Sequence, residues 1–357
     1  MLKVFISFLF TSILLNQFLF AQKYDVDFEL KSKYGFLIAH RAIMSHIPKE
    51  HTKGFEFSMI LQTKGSKSWQ KSLNFPKIGL SVMGTSAGNK ELLGNLCGAY
   101  SFIQFPLFKS EKNFIYGKSG VGIGYANKVF DQETNPKNIV LSSHFNALIN
   151  FGLFYQYNFK KTYFTAGLDL THFSNGAARV PNLGANLPYM AVSFGYNFKK
   201  SKENIETKDQ LGLDKNWNFT VLGIASFRED YPTYEAKYKV FASSFLAQKI
   251  FTHKVGYETG VDFMYKASLI NYKPEIYKSK ESLFQIGFYN GYLMTLDKFQ
   301  IAVGLGIYLK DEYNADDQFY HRVGFRYFVN KNFYLNLTLK SHWAKADYFE
   351  YGLGIRF

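Results

Sequence analysis

A histidine and a serine, His172 and Ser174, stand two residues apart in the stretch LDLTHFSNGAARVPNLGANLPYM (168–190). Serine is a poor nucleophile until a base takes its proton, and histidine is the usual base. Ester hydrolysis also needs hydrogen-bond donors aimed at the oxygen of a tetrahedral intermediate. An isolated His-x-Ser pair is weak evidence, because such side chains also contact headgroups at a membrane interface. The neighbouring residues must therefore decide between the two interpretations.

The strand that carries this pair alternates strictly between two faces. One face holds Phe164, Ala166, Leu168, Leu170, His172 and Ser174, and the other holds Tyr163, Thr165, Gly167, Asp169 and Thr171. The following strand has Pro188, Met190 and Val192 on its apolar face, and the same parity extends to Asn186. If the apolar faces contact lipid, His172, Ser174 and Asn186 converge on the lipid side. A lipid substrate reaches that side more easily than the inside of a barrel.

The N-terminus predicts export. Lys3 supplies a positive charge, an apolar segment follows at 4–20, and Ala21 is a plausible cleavage position, so we predict a signal peptide at 1–21. An uncleaved membrane anchor is the alternative. Cys97 is the single cysteine, which excludes an intramolecular disulfide and leaves no lipidated cysteine at the cleavage site.

The composition favours an all-β membrane protein. Aromatic residues make up 19% of the chain, with 26 Tyr and 38 Phe, and no long apolar run follows the signal. A transmembrane antiparallel β-barrel places its apolar side chains on alternate residues and aromatic side chains at the two interfaces. A soluble array of β-sandwiches is the alternative.

Sixteen amphipathic segments are long enough to be membrane strands. We predict strands at about 28–42, 54–63, 77–86, 94–108, 112–127, 141–158, 161–174 and 187–199, and then at 216–227, 235–250, 253–266, 281–294, 297–310, 319–329, 331–343 and 347–357. A polar connector without a strand pattern, 200–215, separates a first half at 22–199 from a second half at 216–357.

The two halves resemble each other, which indicates duplication of an eight-strand unit. SGVGIGYANKVFDQ (119–132) parallels VGLGIYLKDEYNADDQ (303–318), and both halves end on an amphipathic strand with a Phe. One barrel of about 14–16 strands and two eight-strand barrels in tandem both fit an even strand number. We prefer the single barrel, because one closed sheet leaves no edge in lipid.

The Gly-rich GVGIG (120–124) precedes no helix pattern and predicts small side chains inside the barrel.

The segment THFSNGAARVPNLGAN (171–186) resembles the His-x-Ser-Asn motif of the outer-membrane lipid A 3-O-deacylases, also called PagL-like acyloxyacyl hydrolases. These are eight-stranded barrels that hydrolyse an ester-linked acyl chain of lipopolysaccharide. The resemblance covers the motif, the P-N-x-G loop and the strand after it, and about 28–199 at fold level. It implies that Ser174 is the nucleophile, His172 the general base, and Asn175 with the Gly176 N–H the oxyanion stabiliser.

One position departs from the family pattern. The family orients its histidine with a glutamate a little over a dozen residues downstream, where this chain has Asn186. An asparagine carbonyl can hold the imidazole tautomer, as in Cys-His-Asn proteases, but it stabilises the imidazolium less than a carboxylate does. Asp169 lies on the opposite face, and Glu50 in the first surface loop is a second candidate for the acid. We therefore expect Asn186 to orient His172, with weaker or altered activity.

These observations predict an outer-membrane serine esterase that removes an acyl chain from lipid A and needs no cofactor. An inactive barrel acting as a channel or adhesin is the alternative. The net charge of +14 could attract lipid A phosphates, although basic residues are common at membrane interfaces. The terminal Phe357 resembles the signal read by the barrel-insertion machinery. No nucleic acid partner is expected, and the oligomeric state stays open.

Other histidines are expected to have no catalytic role. His40, His46 and His51 cluster near the first hairpin, but their spacing matches no metal-ligand template, so we expect no metal site. In the second half His342 is followed by Trp343 and Ala344, so an alanine takes the serine position. The alternation there places His342 and Glu350 inside the barrel, and we predict no second catalytic site.

Overall fold

A computed structural model describes residues 25–199, 215–231, 236–271, 274–313, 317–343 and 345–357. The predicted signal peptide at 1–21 and nearly all of the predicted connector at 200–215 lie outside these residues. Within the described ranges, no helix is long and apolar enough to cross a membrane.

The described residues form sixteen strands in two closed antiparallel barrels of eight strands each. The first barrel consists of β1 (Asp25–Gly35), β2 (Thr52–Gln62), β3 (Lys77–Ser86), β4 (Asn95–Lys109), β5 (Asn113–Ala126), β6 (Phe145–Phe159), β7 (Thr162–Ser174) and β8 (Ala185–Lys199). The second consists of β9 (Trp217–Glu229), β10 (Lys237–Ile250), β11 (Gly256–Lys266), β12 (Phe284–Leu296), β13 (Phe299–Lys310), β14 (Phe319–Phe328), β15 (Phe333–His342) and β16 (Lys345–Arg356).

The all-β fold and its antiparallel barrels are confirmed, but the preferred single large barrel is wrong. Strand β1 closes on β8, with Leu30 opposite Phe194, and β16 closes on β9, with Leu353 opposite Gly223. The chain thus forms the alternative, two eight-strand barrels in tandem. Two small closed sheets leave no free edge, just as one large sheet would not, so the edge argument could not separate the two arrangements.

In the described parts of the connections, the helices are short. One α-helix, α1, spans Ser68–Ser72, and 3₁₀ helices span Ala42–Met44, Ala267–Asn271 and Glu281–Leu283. Strand β1 ends at Gly35 rather than at the predicted residue 42. Beyond Gly35 the chain still follows β8, since the N–H groups of Phe36 and Ile38 donate to the carbonyls of Pro188 and Asn186.

Apolar side chains cover the outside of both barrels. Leu168 and Met190 are 62% and 73% exposed, whereas the neighbouring Asp169 and Tyr189 are 3% and 2% exposed. This alternation is the pattern that a lipid-facing exterior and a polar interior require.

Ion pairs fill the interior of the first barrel. The carboxylate of Glu56 pairs with Lys33 Nζ at 2.5 Å and with Lys118 Nζ at 2.6 Å, and Lys31 Nζ lies 3.6 Å away. Asp169 lies 3.0 Å from Lys33 Nζ. Because buried charges are tolerated only when they are paired, this network indicates a packed interior.

The interior of the second barrel contains a separate network. Arg322 contacts Asp262 at 2.8 Å and Glu350 at 2.9 Å, and Asp347 pairs with Lys266 and Lys340 at 3.0 and 3.1 Å. The prediction that Glu350 points inward agrees with this geometry.

The chain divides into two compact units. Unit 1 comprises Met1–Lys128, Ala147–Phe173 and Ala185–Lys208, and unit 2 comprises Val129–Asn146, Ser174–Gly184 and Asp209–Phe357. His172 and Asn186 belong to unit 1, and Ser174 belongs to unit 2.

Candidate active site

In unit 1, His172 and Asn186 face each other on neighbouring strands. They are directly opposite in the β7–β8 register, and His172 Nδ1 lies 2.7 Å from Asn186 Oδ1. With Oδ1 as the acceptor, Nδ1 carries the proton and Nε2 keeps its lone pair. This tautomer is the one that a general base acting through Nε2 requires.

The pair lies on the outward side of the barrel wall. His172 and Asn186 are half-buried and continue the face of the exposed Leu168 and Met190. Asp169 points inward, where its carboxylate accepts from Lys33 Nζ at 3.0 Å and from Asn150 Nδ2 at 2.9 Å. Asp169 is therefore engaged inside the barrel and cannot orient His172.

Glu50, the second candidate for the acid, is used elsewhere. Its Oε1 accepts a hydrogen bond from the Lys90 N–H at 3.2 Å. Within the described residues, Asn186 is the side chain that hydrogen-bonds the His172 ring. The structure thus brings together His172 and Asn186, whereas the Glu50 carboxylate bonds the Lys90 backbone.

A second histidine contacts the other end of the Asn186 amide. Asn186 Nδ2 lies 3.2 Å from His40 Nδ1, and His40 itself is exposed. Sequence reasoning did not find this contact, because 146 residues separate the two side chains and no periodicity links them.

In unit 2, the hydroxyl of Ser174 accepts two hydrogen bonds. Asn182 Nδ2 donates to Ser174 Oγ at 2.8 Å, and the Gly176 N–H donates at 3.3 Å. Asn182 was not predicted as a site residue. It belongs to the P-N-x-G segment at 181–184, which was the one sequence signal that could have identified it.

The side chain of Asn175 holds the loop rather than pointing at Ser174. Its Nδ2 donates to Ser142 Oγ at 3.1 Å and to Ser143 Oγ at 2.9 Å, and its N–H donates to Asn182 Oδ1 at 3.4 Å. Of the two residues predicted for the oxyanion, Gly176 therefore has the donor directed at the serine oxygen. The assignment of Asn175 and Gly176 to that role stays a prediction.

A left-handed turn follows the serine. Gly176 and Ala177 have φ angles of 62° and 63°, a region that residues with a Cβ rarely adopt. A Cβ on Gly176 would lie 2.4 Å from the ring of Phe349. The backbone conformation favours glycine at 176, although Ala177 adopts it too, and the close ring leaves no room for a side chain there.

Within unit 2, Glu229 holds the loop that follows Ser174 (175–184) by hydrogen bonds to its backbone. Its Oε2 accepts from the Val180 N–H at 2.6 Å, and its own N–H donates to the Ala177 carbonyl at 3.0 Å. Glu229 is 4% exposed, so these bonds are shielded from water. Shielded bonds of this kind fix a loop more firmly than solvated ones.

Two other histidines have partners away from this pair. His51 Nδ1 bonds the Gly35 carbonyl at 3.2 Å, and in the second barrel His342 is 3% exposed with Nε2 3.0 Å from Tyr308 Oη. His342 thus lies inside the barrel, on the side that the alternation predicts. In the part of the chain that the structure describes, no group of three or more His, Cys, Asp and Glu side chains is arranged to hold a metal ion.

Two family models match the chain. Residues 53–197 match the model of lipid A 3-O-deacylase (PagL), and residues 215–357 match that of the acyloxyacyl hydrolase C-terminal domain. The first match contains the whole stretch from His172 to Asn186. No curated protein matches the chain.

Solved outer-membrane proteins are similar only at a low level. The siderophore receptor PirA from Pseudomonas aeruginosa shares 6% identity over 93% of this chain and 80% of its own, with a TM-score of 0.21. A triple-mutant porin from Rhodopseudomonas blastica shares 6% over 94% and 100%, with a TM-score of 0.17. CdiB from Acinetobacter baumannii shares 10% over 93% and 60%, with a TM-score of 0.18. Similarity at these TM-scores carries no functional argument.

Proposed function

Because this chain belongs to the lipid A 3-O-deacylase (PagL) family and continues into an acyloxyacyl hydrolase C-terminal domain, we propose that it is a serine esterase acting on lipid A. The reaction is hydrolysis of an ester-linked acyl chain. Ser174 is the nucleophile, His172 the general base and Asn186 the residue that orients the base.

The observation that carries the proposal is the outward position of the His172–Asn186 pair. The 2.7 Å hydrogen bond holds the imidazole on the same side as the apolar exterior of β7. The acyl chains of a membrane lipid lie against that exterior, so the base and the ester meet on one side of the barrel wall.

The reaction proceeds through an acyl-enzyme. Ser174 Oγ attacks the ester carbonyl carbon while Nε2 of His172 takes the hydroxyl proton. The tetrahedral intermediate collapses, the bond to the sugar oxygen breaks, and that oxygen receives the proton from Nε2. Water then gives a proton to Nε2 and attacks the acyl carbon. The bond from that carbon to Ser174 Oγ breaks, Oγ takes the proton back from Nε2, and the fatty acid leaves.

Two donors beside the serine are proposed to stabilise the oxyanion, which forms on the substrate's carbonyl oxygen. The Gly176 N–H and Asn182 Nδ2 lie 3.3 and 2.8 Å from Ser174 Oγ, and each can turn to that oxygen once Oγ has bonded to the carbonyl carbon. Each such donor contributes most in a site that excludes water. Asn175 supports this arrangement by fixing the loop.

The proposed location is the outer membrane. The predicted signal peptide at 1–21 exports the chain, and Phe357 presents the C-terminal signal to the insertion machinery. Lipid A in the outer leaflet is the partner of the outward face. Duplication of an eight-strand unit is the proposed origin of the two barrels.

The deciding experiment compares wild type with Ser174→Ala and His172→Ala. Purified full-length protein in detergent is incubated with lipopolysaccharide, and released 3-hydroxy fatty acid is measured. We expect both variants to lose all detectable release, whereas Ser32→Ala, at an exposed serine on the outside of β1, keeps it. Deacylation by both variants at the wild-type rate would disprove the site.

Two further measurements separate the esterase from an inactive barrel. Mass spectrometry of lipid A from expressing cells should show loss of one acyl chain. The ion pairs that fill both interiors disfavour a channel, so planar bilayers containing the protein should carry no steady current. Steady conductance together with intact lipid A would favour the channel instead.

A further inference from the structure

The amide of Asn186 lies between two imidazole rings. Its Oδ1 is 2.7 Å from His172 Nδ1, and its Nδ2 is 3.2 Å from His40 Nδ1. A carboxylate at this position would present two equivalent oxygens, whereas an amide has an acceptor end and a donor end. The orientation of the amide therefore matters in this chain.

Only one of the two amide orientations supports a general base. When Oδ1 faces His172, Nδ1 is protonated and Nε2 is free to accept the serine proton. When Nδ2 faces His172, Nδ1 must accept a hydrogen bond, so the neutral ring carries its proton on Nε2. That second tautomer cannot take a proton from Ser174.

His40 is placed to select the first orientation. The segment that carries it follows β8, because Ile38 N donates to the Asn186 carbonyl at 3.0 Å and Phe36 N donates to the Pro188 carbonyl at 3.3 Å. An unprotonated Nδ1 on His40 accepts from Nδ2 and leaves Oδ1 for His172. Since His40 is exposed, its side chain contributes little to packing.

We propose that His40 is a positioning residue that fixes the Asn186 amide and thereby the productive tautomer of His172. This inference rests on the proposed function for its kinetic consequence. It assigns to His40 a task that arises only because an amide occupies position 186.

The kinetic test is a double-mutant cycle on the full-length protein. One hydrogen bond's net contribution corresponds to a loss of about three- to tenfold in kcat for His40→Ala, with KM nearly unchanged. His40→Asn keeps an acceptor near the Nδ1 position and should restore most of the rate. His46→Ala, at another exposed histidine of the same loop, is the matched control and should leave kcat unchanged.

The second arm of the cycle uses Asn186→Asp as the background. A carboxylate has no wrong orientation, so the loss caused by His40→Ala should shrink to less than about twofold. An equal loss in both backgrounds would overturn the proposal, because His40 would then act on something other than the amide.

A measurement that needs no enzymatic turnover distinguishes failure of this proposal from failure of the proposed function. Nitrogen-15 NMR of histidine-labelled protein in micelles identifies which nitrogen of His172 is protonated, with His172→Ala providing the assignment. We expect Nδ1 protonation in wild type and a shift toward Nε2 protonation in His40→Ala. An unchanged His172 signal in His40→Ala refutes the role of His40 even if the protein releases no fatty acid.

Discussion

The side-chain oxygen of Asn186 lies 2.7 Å from Nδ1 of His172, directly across the β7–β8 ladder. Strand pairing fixes this relationship, because opposite residues of an antiparallel pair have adjacent side chains on the same face. An amide therefore occupies the place from which a carboxylate would stabilise the imidazolium.

Replacing Asn186 by Asp should raise kcat by about tenfold. The carboxylate keeps the hydrogen bond to Nδ1 and adds a negative charge next to the imidazolium that forms in the transition state. Fatty acid release from lipopolysaccharide measures the effect. Asn186→Leu removes both polar ends and should lower the rate by at least tenfold. A faster Leu variant would mean that position 186 does not assist the base.

Asn182 should be required for turnover. Its Nδ2 donates to Ser174 Oγ at 2.8 Å, and removal of a donor at a developing oxyanion typically costs about a hundredfold or more. Asn182→Asp retains Oδ1, which accepts from the Asn175 N–H, but loses the donor. We expect both Asn182→Ala and Asn182→Asp to reduce kcat by at least tenfold. Full activity of the Asp variant would show that Asn182 only holds the loop.

Loss of the Glu229 carboxylate should loosen the loop after Ser174. Glu229→Ala leaves the Val180 N–H buried without its acceptor, which is costly, whereas Glu229→Gln keeps an acceptor oxygen. Trypsin can cleave after Arg179 in this loop, so the rate of cleavage at that bond reports its opening. We expect faster cleavage in Glu229→Ala than in wild type or Glu229→Gln. Equal cleavage rates in all three proteins would contradict this role.

Gly176→Ala should lower both activity and stability. The left-handed φ of 62° costs an alanine about 1–2 kcal/mol, and the new Cβ would lie 2.4 Å from the Phe349 ring. In the double variant, Phe349→Ala should remove the clash between the new Cβ and the ring and so recover some of the activity. The melting temperature and the rate of fatty acid release measure the two effects. A fully active single variant would show that the turn is not needed.

Glu56→Ala should destabilise the first barrel strongly. The change leaves three buried lysines, Lys31, Lys33 and Lys118, without their shared carboxylate, and such losses cost about 3–5 kcal/mol. When samples are heated to increasing temperatures and run on SDS gels, the temperature at which the band of the folded protein disappears should fall. Glu91→Ala is the control, because its pair with Lys49 is exposed and contributes little, although Lys49 lowers the pKa of Glu91. An equal fall in both variants would contradict the argument.

Much of the fold could be read from the sequence. Alternation between apolar and polar residues indicated sixteen strands and placed His172 and Asn186 on the outward face, because side chains alternate strictly along a strand. The same parity put Asp169, His342 and Glu350 inside, where the structure has them. What alternation cannot encode is which strand closes the sheet, and the preferred single barrel was wrong for that reason.

Tertiary structure decided the partners of the site residues. The sequence determined that a histidine and a serine share the apolar face of one strand and that an asparagine takes the place of the acid. Only the fold brought His40 to Asn186 across 146 residues and turned the Asn175 side chain toward Ser142 and Ser143. Such contacts depend on loop paths and side-chain rotamers, which follow no periodicity. The sequence therefore determined the side on which the chemistry lies, and the closed barrel with its loops decided which groups surround the histidine and the serine.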